Sequence, residues 1–390
     1  MRQLLPLTAL LCLTSCILPS VKYGETPWSD YVENAHCQGE VSVSRPDLPY
    51  FLITSRLPDC RSDPATLTIQ RGDRLRYGRF GRPEWMTSEE GGRYERGRFV
   101  FQSEAGWWAA FDERARANDG RVMLYVHGFN ERLPSTSKDA ADMARFSGFE
   151  GPVIKYSWPS RGEVLAYGID ENNAEYEEDY FSAILRNIVS RSSVKQLILV
   201  AHSMGSRLAI PAVEAIDRDH PDVRAKVSNI ILASPDYDSG LFIRKARYNL
   251  LNPARAPQNR QITVYTSRKD LPISFSRFLH GYSRLGNPSC DDPVAERQRR
   301  ESQKLPRCYP EFPGTIDGLA IVDTTSISDS KNGHNDFLRT PQGCADFAHV
   351  LNADTSWPGR IAISGAGDYV WQLSQSADVS ACRNSATPES

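Results

Sequence analysis

Five residues, Ala201-His202-Ser203-Met204-Gly205, directly follow the apolar run Leu197–Val200 and precede a helical stretch. A nucleophilic serine on a tight strand-to-helix turn needs small residues two places away on either side, because the backbone there is crowded. The helix N-terminus beyond the turn favours developing negative charge. The usual pattern is Gly-x-Ser-x-Gly, and Ala201 takes the place of the first glycine. Alanine is nearly as small, so the turn should survive. Ser203 is expected to be a nucleophile rather than a serine that merely caps a helix.

A serine hydroxyl needs a base, and the base needs an orienting carboxylate. The sequence has seven histidines: His36, His127, His202, His220, His280, His334 and His349. In a parallel α/β sheet carrying such a turn, acid and base follow the serine and the histidine comes last. His334 lies in the turn-rich Asn332-Gly333-His334-Asn335 and is the expected base. His280 and His349 lie in helical stretches and read as structural. Asp270, a short loop after Ile262-Thr263-Val264-Tyr265, is the preferred acid. Asp236, after Ile230–Ala233, is the alternative.

His127-Gly128-Phe129-Asn130 closes the run Val122–Val126. At this position a backbone N–H should point at the substrate oxyanion, together with that of the residue after the nucleophile. The Phe129 and Met204 amides are the expected pair, with His127 a structural hydrogen-bonding residue. There is no glycine-rich phosphate loop, no His-Glu-x-x-His and no paired-cysteine motif, so neither cofactor nor metal is expected. His202 reads as part of the turn rather than as a ligand, and Trp107-Trp108 as packing.

These residues need a scaffold, and its pattern is visible. Val122–Val126, Val153–Tyr156, Leu197–Val200, Ile230–Leu232, Ile262–Tyr265 and Leu319–Val322 are short, nearly continuous apolar runs. Such runs suit parallel strands covered on both faces. Between two of them, Phe181, Ile184, Leu185, Ile188 and Val189 recur with helical spacing, behind the acidic Glu175, Glu177, Glu178 and Asp179. The expectation is an α/β fold with right-handed crossovers. Upstream, a strand at Tyr50–Thr54 and short pieces over Leu67–Phe101 predict an antiparallel edge. Residues 272–316 break the rhythm between acid and base, and are expected to form an insertion over one end of the sheet, either a cap or a solvated excursion.

The N-terminus has a separate purpose. Arg2, a short leucine-rich stretch and Leu13-Thr14-Ser15-Cys16 make an export signal ending in a lipobox-like sequence. Residues 1–15 are read as a lipoprotein signal peptide and Cys16 as the lipidated residue. Residues 16–45 read as a tether, 46–375 as the catalytic domain and 376–390 as a tail. A bacterial envelope location follows, with lipid anchoring through Cys16 and outer-membrane attachment facing the periplasm. Cys37, Cys60, Cys290, Cys308, Cys344 and Cys382 remain, and export allows three disulfides. The expected pairing joins neighbours: Cys37–Cys60, Cys290–Cys308 and Cys344–Cys382. A net charge of −2 without a basic stripe gives no reason to expect nucleic acid as a partner.

Together, His127-Gly128-Phe129-Asn130, Ser157-Trp158-Pro159-Ser160-Arg161-Gly162, Ala201–Gly205, Ala233-Ser234-Pro235-Asp236 and Gly333-His334 resemble the α/β-hydrolase superfamily over roughly residues 48–375. Within it, they look most like a poorly characterised bacterial branch classed as a domain of unknown function. The resemblance implies the fold and a serine-hydrolase triad, and is silent on substrate. Ala201 departs from the pattern of many relatives, and Pro211 should kink the helix after the nucleophile. The expected activity is cleavage of a carboxylic ester, thioester or lipid acyl bond in a small-molecule or lipid ester. The alternatives are a non-catalytic envelope scaffold on the same fold, and a serine peptidase or amidase.

Overall fold

A computed structural model describes residues 48–59, 66–87, 93–131, 133–288, 315–328, 332–353, 358–363 and 368–383. Each apolar run becomes a strand of one sheet: β4 (Arg121–Val126), β5 (Val153–Ser157), β6 (Gln196–His202), β7 (Val227–Ala233), β8 (Gln261–Thr266) and β9 (Leu319–Asp323). Three strands precede them, β1 (Tyr50–Asp59), β2 (Thr66–Thr87) and β3 (Arg93–Gln102), and two follow, β10 (Arg360–Ala362) and β11 (Val370–Leu373). The order is β10-β11-β9-β8-β7-β6-β4-β5-β1-β2-β3. Strands β1 and β4 through β9, with β11, run parallel to their neighbours. Among the described residues the antiparallel pairs, β1–β2, β2–β3 and β10–β11, lie at the two edges.

Both sheet faces are covered, which is why the runs do not alternate with polar residues. Val122, Leu124 and Val126 of β4 enter one core, and Met123 and Tyr125 enter the other. The first core is closed by α1 (Glu104–Arg116), α3 (Tyr167–Ser190) and α4 (Ser206–Asp219). Phe181, Ile184, Leu185, Ile188 and Val189 form the buried stripe of α3, as their spacing predicts. Trp107 and Trp108 of α1 are buried there as packing, and the Trp107 indole donates to the Gly78 carbonyl at 2.8 Å. The second core is closed by α2 (Leu133–Ser147) and α8 (Pro341–Leu351). Three shorter helices, α5 (Ser239–Lys245), α6 (Leu271–His280) and α7 (Asp336–Arg339), sit in the connections.

Helix α4 continues through Pro211 to Asp219, so the proline does not break it. Of the expected insertion, residues 272–288 belong to the body. There the Leu285 and Gly286 amides donate to the carbonyls of Tyr237 and Pro235, at 2.8 and 2.9 Å. Residues 289–314 lie outside the described residues, and Cys290–Cys308 with them. Cys37–Cys60, Cys16 and the leader are likewise outside. Cys344 and Cys382 form a disulfide, which ties residues 376–383 to α8. The Arg383 amide adds a 2.8 Å bond to the Phe146 carbonyl.

Candidate active site

Where β6 ends, the chain turns through Ser203–Gly205 into α4. Ser203 takes φ +52°, a left-handed conformation that is unfavourable for a residue with a Cβ. Its carbonyl accepts from the Asp236 amide at 3.0 Å and from the Ser206 hydroxyl at 2.7 Å, which holds the turn. A Cβ at Gly205 would fall 2.7 Å from the carbonyl oxygens of Val126 and His127, so this position has no room for a side chain. Ala201 is fully buried in β6, opposite Val126 and Leu232. The turn forms with alanine there.

Asn130 (φ +59°) and Ser234 (φ +46°) also hold left-handed backbone without being glycine. They follow β4 and β7, the strands on either side of β6. Strain of this kind persists where surrounding structure over-determines it, and it concentrates at functional sites.

His334 and Asp270 meet. The imidazole Nδ1 lies 2.8 Å from Asp270 Oδ2 and 3.0 Å from Oδ1, and both residues are buried. Asp270 is also the N-cap of α6, accepting from the Ile273 amide at 2.9 Å, so a helix end fixes its orientation. The His334 carbonyl is held by the Ser234 hydroxyl at 2.9 Å. Burial opposes charge on His334, but the Asp270 carboxylate and its hydrogen bond outweigh it and raise the imidazole above its ordinary value. Among the described residues, the Ser203 hydroxyl and the His334 ring share no hydrogen bond. Without substrate that contact is commonly long, and it tightens in the complex.

The other candidates are separated by their partners. Asp236 does not bond His334; its carboxylate takes the Tyr167 and Ser276 hydroxyls, Arg207 at 3.3 Å and Arg284 at 3.2 Å. Burial pushes it towards the neutral acid, yet the two guanidiniums hold it below the usual carboxylate range. His202 stands 4.6 Å from His334, ring centre to ring centre, and its Nε2 is 3.4 Å from the His334 carbonyl. Burial, with the charge of His334, keeps it well below its ordinary pKa. His127 is similarly depressed by burial and by the cations Arg56 and Lys155. Its ring stacks on Trp158 and contacts the Gly128 carbonyl at 2.9 Å, as a structural histidine does. His280 is held by Glu171 and by the Ser276 carbonyl, each at 2.7 Å.

The loop 127–131 is braced by the segment after β5. The Trp158 indole donates to the His127 carbonyl at 2.8 Å, and the Glu131 amide to the Ser160 hydroxyl oxygen at 3.1 Å. Ser160 in turn donates to Asp170 at 2.6 Å, which also accepts from the Arg161 amide at 2.9 Å and the Asn130 amide at 3.5 Å. From β1, the buried Arg56 guanidinium reaches the Ser160 carbonyl at 3.1 Å and the Glu131 carbonyl at 3.2 Å. Met204 and Phe129 thus sit on two facing pieces of backbone. Met204 belongs to the first turn before α4, where amides lack intrahelical acceptors. Phe129 is half-buried, with its ring 5.1 Å from that of Tyr167.

A family model described as an alpha/beta hydrolase of unknown function (DUF900) matches residues 105–342, more than half of the chain. The chain belongs to this family. No curated protein matches it at a significant level. The span matched by this hydrolase family contains Ser203, Asp270 and His334 and the loop 127–131, while β1, β2, β3, β10 and β11 fall outside it. So does Arg56, which grips the loop from β1.

Sequence reasoning did not single out Arg56, Asp170 or Glu131. Glu131 follows directly on His127–Asn130, and its side chain accepts from Ser135 at 2.9 Å and approaches His202 Nδ1 at 4.0 Å. Burial first, then the neighbouring Asp139 charge, pushes its carboxyl up to about 7. The motif at 157–162 was the available signal for the brace, because it carries Ser160. Nothing local marks Arg56. A cavity of about 600 Å³ lies at the opposite, N-terminal ends of the strands, lined by Asn229, Gln261, His349 and Trp371 among others. None of the candidate catalytic residues borders it.

Proposed function

We propose that this α/β-hydrolase is a serine hydrolase that cleaves a carboxylic ester, thioester or lipid acyl bond through an acyl-enzyme. In this reading the Ser203 hydroxyl attacks the carbonyl carbon while its proton passes to His334 Nε2. The oxyanion is held by the Phe129 and Met204 amides. The tetrahedral species collapses, the C–O or C–S bond breaks, and His334 returns the proton to the leaving group. Water then repeats the sequence on the acyl-serine, releasing the acid and restoring the hydroxyl.

The observation that carries the reading is the buried Nδ1 contact of His334 to both oxygens of Asp270. It commits Nδ1 to the carboxylate, leaving Nε2 as the nitrogen that exchanges protons. It also stabilises the imidazolium that forms during attack. The test is labelling with a fluorophosphonate probe, with turnover of p-nitrophenyl esters of graded chain length. Ser203→Ala should abolish both while remaining folded. Activity of Ser203→Ala within a few-fold of the unaltered protein would remove the mechanism.

We further propose that the protein is anchored through lipid on Cys16 and faces the periplasm from the outer membrane. Leu13-Thr14-Ser15 precedes Cys16 as a lipobox requires, and Ile17 in place of Asp gives no inner-membrane retention signal. Cell fractionation of the unaltered protein and Cys16→Ala tests this: the first should sediment with membranes and the second should not. A soluble unaltered protein with its N-terminus beyond Cys16 would replace anchoring by ordinary secretion.

A further inference from the structure

Helix α6 is built inside out. Its buried side is narrow, Ile273 and Ser276, while Leu271, Phe275, Phe278 and Leu279 face solvent, and Tyr282, just past the helix end, is exposed as well. The spacing of the four helical ones, at i, i+4, i+7 and i+8, makes one continuous stripe. Eleven large apolar side chains are exposed among the described residues, and five of them are these. Phe278 is 82% exposed and Tyr282 64%. Scattered exposed leucines are ordinary; an aligned aromatic and aliphatic patch marks a contact surface.

The patch is continuous with the candidate active site. Asp270, the partner of His334, is the N-cap of α6. Phe275 lies 6.2 Å from Tyr167, and Tyr167 lies 5.1 Å from Phe129 of the oxyanion loop, between ring centres. Leu165, also 82% exposed, stands two residues before Tyr167. A row of apolar groups therefore runs from the open surface of α6 to the loop beside Ser203.

Charge supports one kind of occupant. From residue 267 to 288 the cations at the surface are Arg268, Lys269 and Arg277, Arg284 being buried against Asp236, and the only acid is the buried Asp270. Lys269 is exposed, and Arg268 and Arg277 are partly so. Glu171 on the neighbouring α3 pairs with Arg207 at 2.6 Å and contacts His280 at 2.7 Å. An apolar stripe with Trp- or Phe-type and Leu-type residues, rimmed by Lys and Arg, is the composition that seats in a lipid headgroup layer.

We propose that the exposed face of α6, with Leu165 and Tyr282, docks on an anionic lipid surface and presents membrane-borne acyl lipids to Ser203. This rests on the serine-hydrolase reading and narrows its substrate class to lipids taken from a bilayer. Phe278 and Leu279 insert among the headgroups, and Phe275 joins that face to Tyr167 and Phe129 beside the site.

The test uses the full chain carrying Cys16→Ala, so that no lipid anchor contributes. Co-sedimentation with vesicles of phosphatidylcholine and phosphatidylglycerol is measured for this protein and for the same chain with Phe278→Ser and Leu279→Ser. The double variant should bind the vesicles at least about tenfold more weakly, since two large apolar side chains no longer leave water. Its melting curve and its cleavage of a short, soluble p-nitrophenyl ester should be unchanged. Equal vesicle binding by both proteins, or none by either, overturns the proposal. So does a shift from dimer to monomer on sizing in the double variant, which would make the face a contact between copies of this chain. If the parent protein binds vesicles but cleaves neither soluble ester nor vesicle lipid, the hydrolase reading fails instead, and with it the substrate part alone.

Discussion

A methyl group added to Gly128 would lie 2.6 Å from Cβ of Ser203 and 3.2 Å from its Oγ. The loop after β4 and the turn after β6 are thus in backbone contact at the serine. Gly205 makes the reciprocal approach, lying against the carbonyls of Val126 and His127. The glycines of the two motifs serve one purpose: they let the loop and the turn, which carry the two proposed oxyanion donors, pack against each other. Gly128→Ala must push these pieces apart. Its kcat on a p-nitrophenyl ester should fall by about 10² to 10³, the usual loss when one oxyanion donor is displaced. A variant with unchanged kcat would remove the Phe129 amide from the mechanism.

In the proposed mechanism, protonation of His334 sets the acid side of the pH profile. The Asp270 carboxylate raises its pKa above the ordinary 6.5, and the base works only when neutral. Turnover should therefore fall as pH drops through a midpoint above about 6.5. Asp270→Asn removes the charge that raises the imidazole, so the midpoint should move down while kcat drops by roughly 10⁴. A limb that stays in place in this variant would detach Asp270 from the base.

Asp236 has a different duty. Its buried carboxylate faces Arg207 and Arg284, and losing it would leave the buried Arg284 without this counter-charge and Arg207 with Glu171 alone. Asp236→Asn should cost about 3 kcal/mol in urea unfolding, with the turnover of the folded fraction far less affected than in Asp270→Asn. Reversed losses in turnover would give the role of acid to Asp236.

How much of this could be read from the sequence follows from the range of each interaction. The central strands and the α3 stripe are written in neighbouring residues, because burial on both faces of a sheet or one face of a helix imposes a local period. The serine turn was legible for the same reason: Ala201, Ser203 and Gly205 report their own crowding. Strands β10 and β11 were not, being three and four residues long at an edge, too short to show a period. The brace was illegible too, since Arg56 reaches Ser157 and Ser160 across more than one hundred residues. The outward face of α6 was hidden for the opposite reason. Leu271, Ile273, Phe275, Phe278 and Leu279 have the composition of a buried helix, and only the fold shows which of them stay in water.

Removing the brace should uncouple chemistry from binding. Asp170 holds Ser160, Arg161 and Asn130, but bonds neither Ser203, Asp270 and His334 nor the Phe129 and Met204 amides of the proposed mechanism. In Asp170→Asn, or Ser160→Ala, the loop should shift and kcat should fall by up to about 10² with KM little changed. The pH midpoint should stay where His334 sets it. A variant in which KM rises and kcat holds would make these residues part of substrate binding rather than loop positioning.

The disulfide offers a test that does not depend on substrate. Cys344 and Cys382 are 38 residues apart, and their bridge joins α8 to the last described segment. Closing a loop of that length lowers the entropy of the unfolded chain, worth up to about 4 kcal/mol in the chain-entropy description. Cys382→Ser should therefore lower the unfolding free energy by about 2 to 4 kcal/mol, measured by urea titration without reductant. Reductant should destabilise the unaltered protein by more than it does the variant, because only the former still has this bond to lose. Ester turnover should be the same in both at temperatures where they are folded, since neither cysteine is among the candidate catalytic residues. If Cys344 is alkylated in the native, unreduced protein, the bond is absent. The stabilising term assigned to it then disappears, and so does its support for an oxidising compartment.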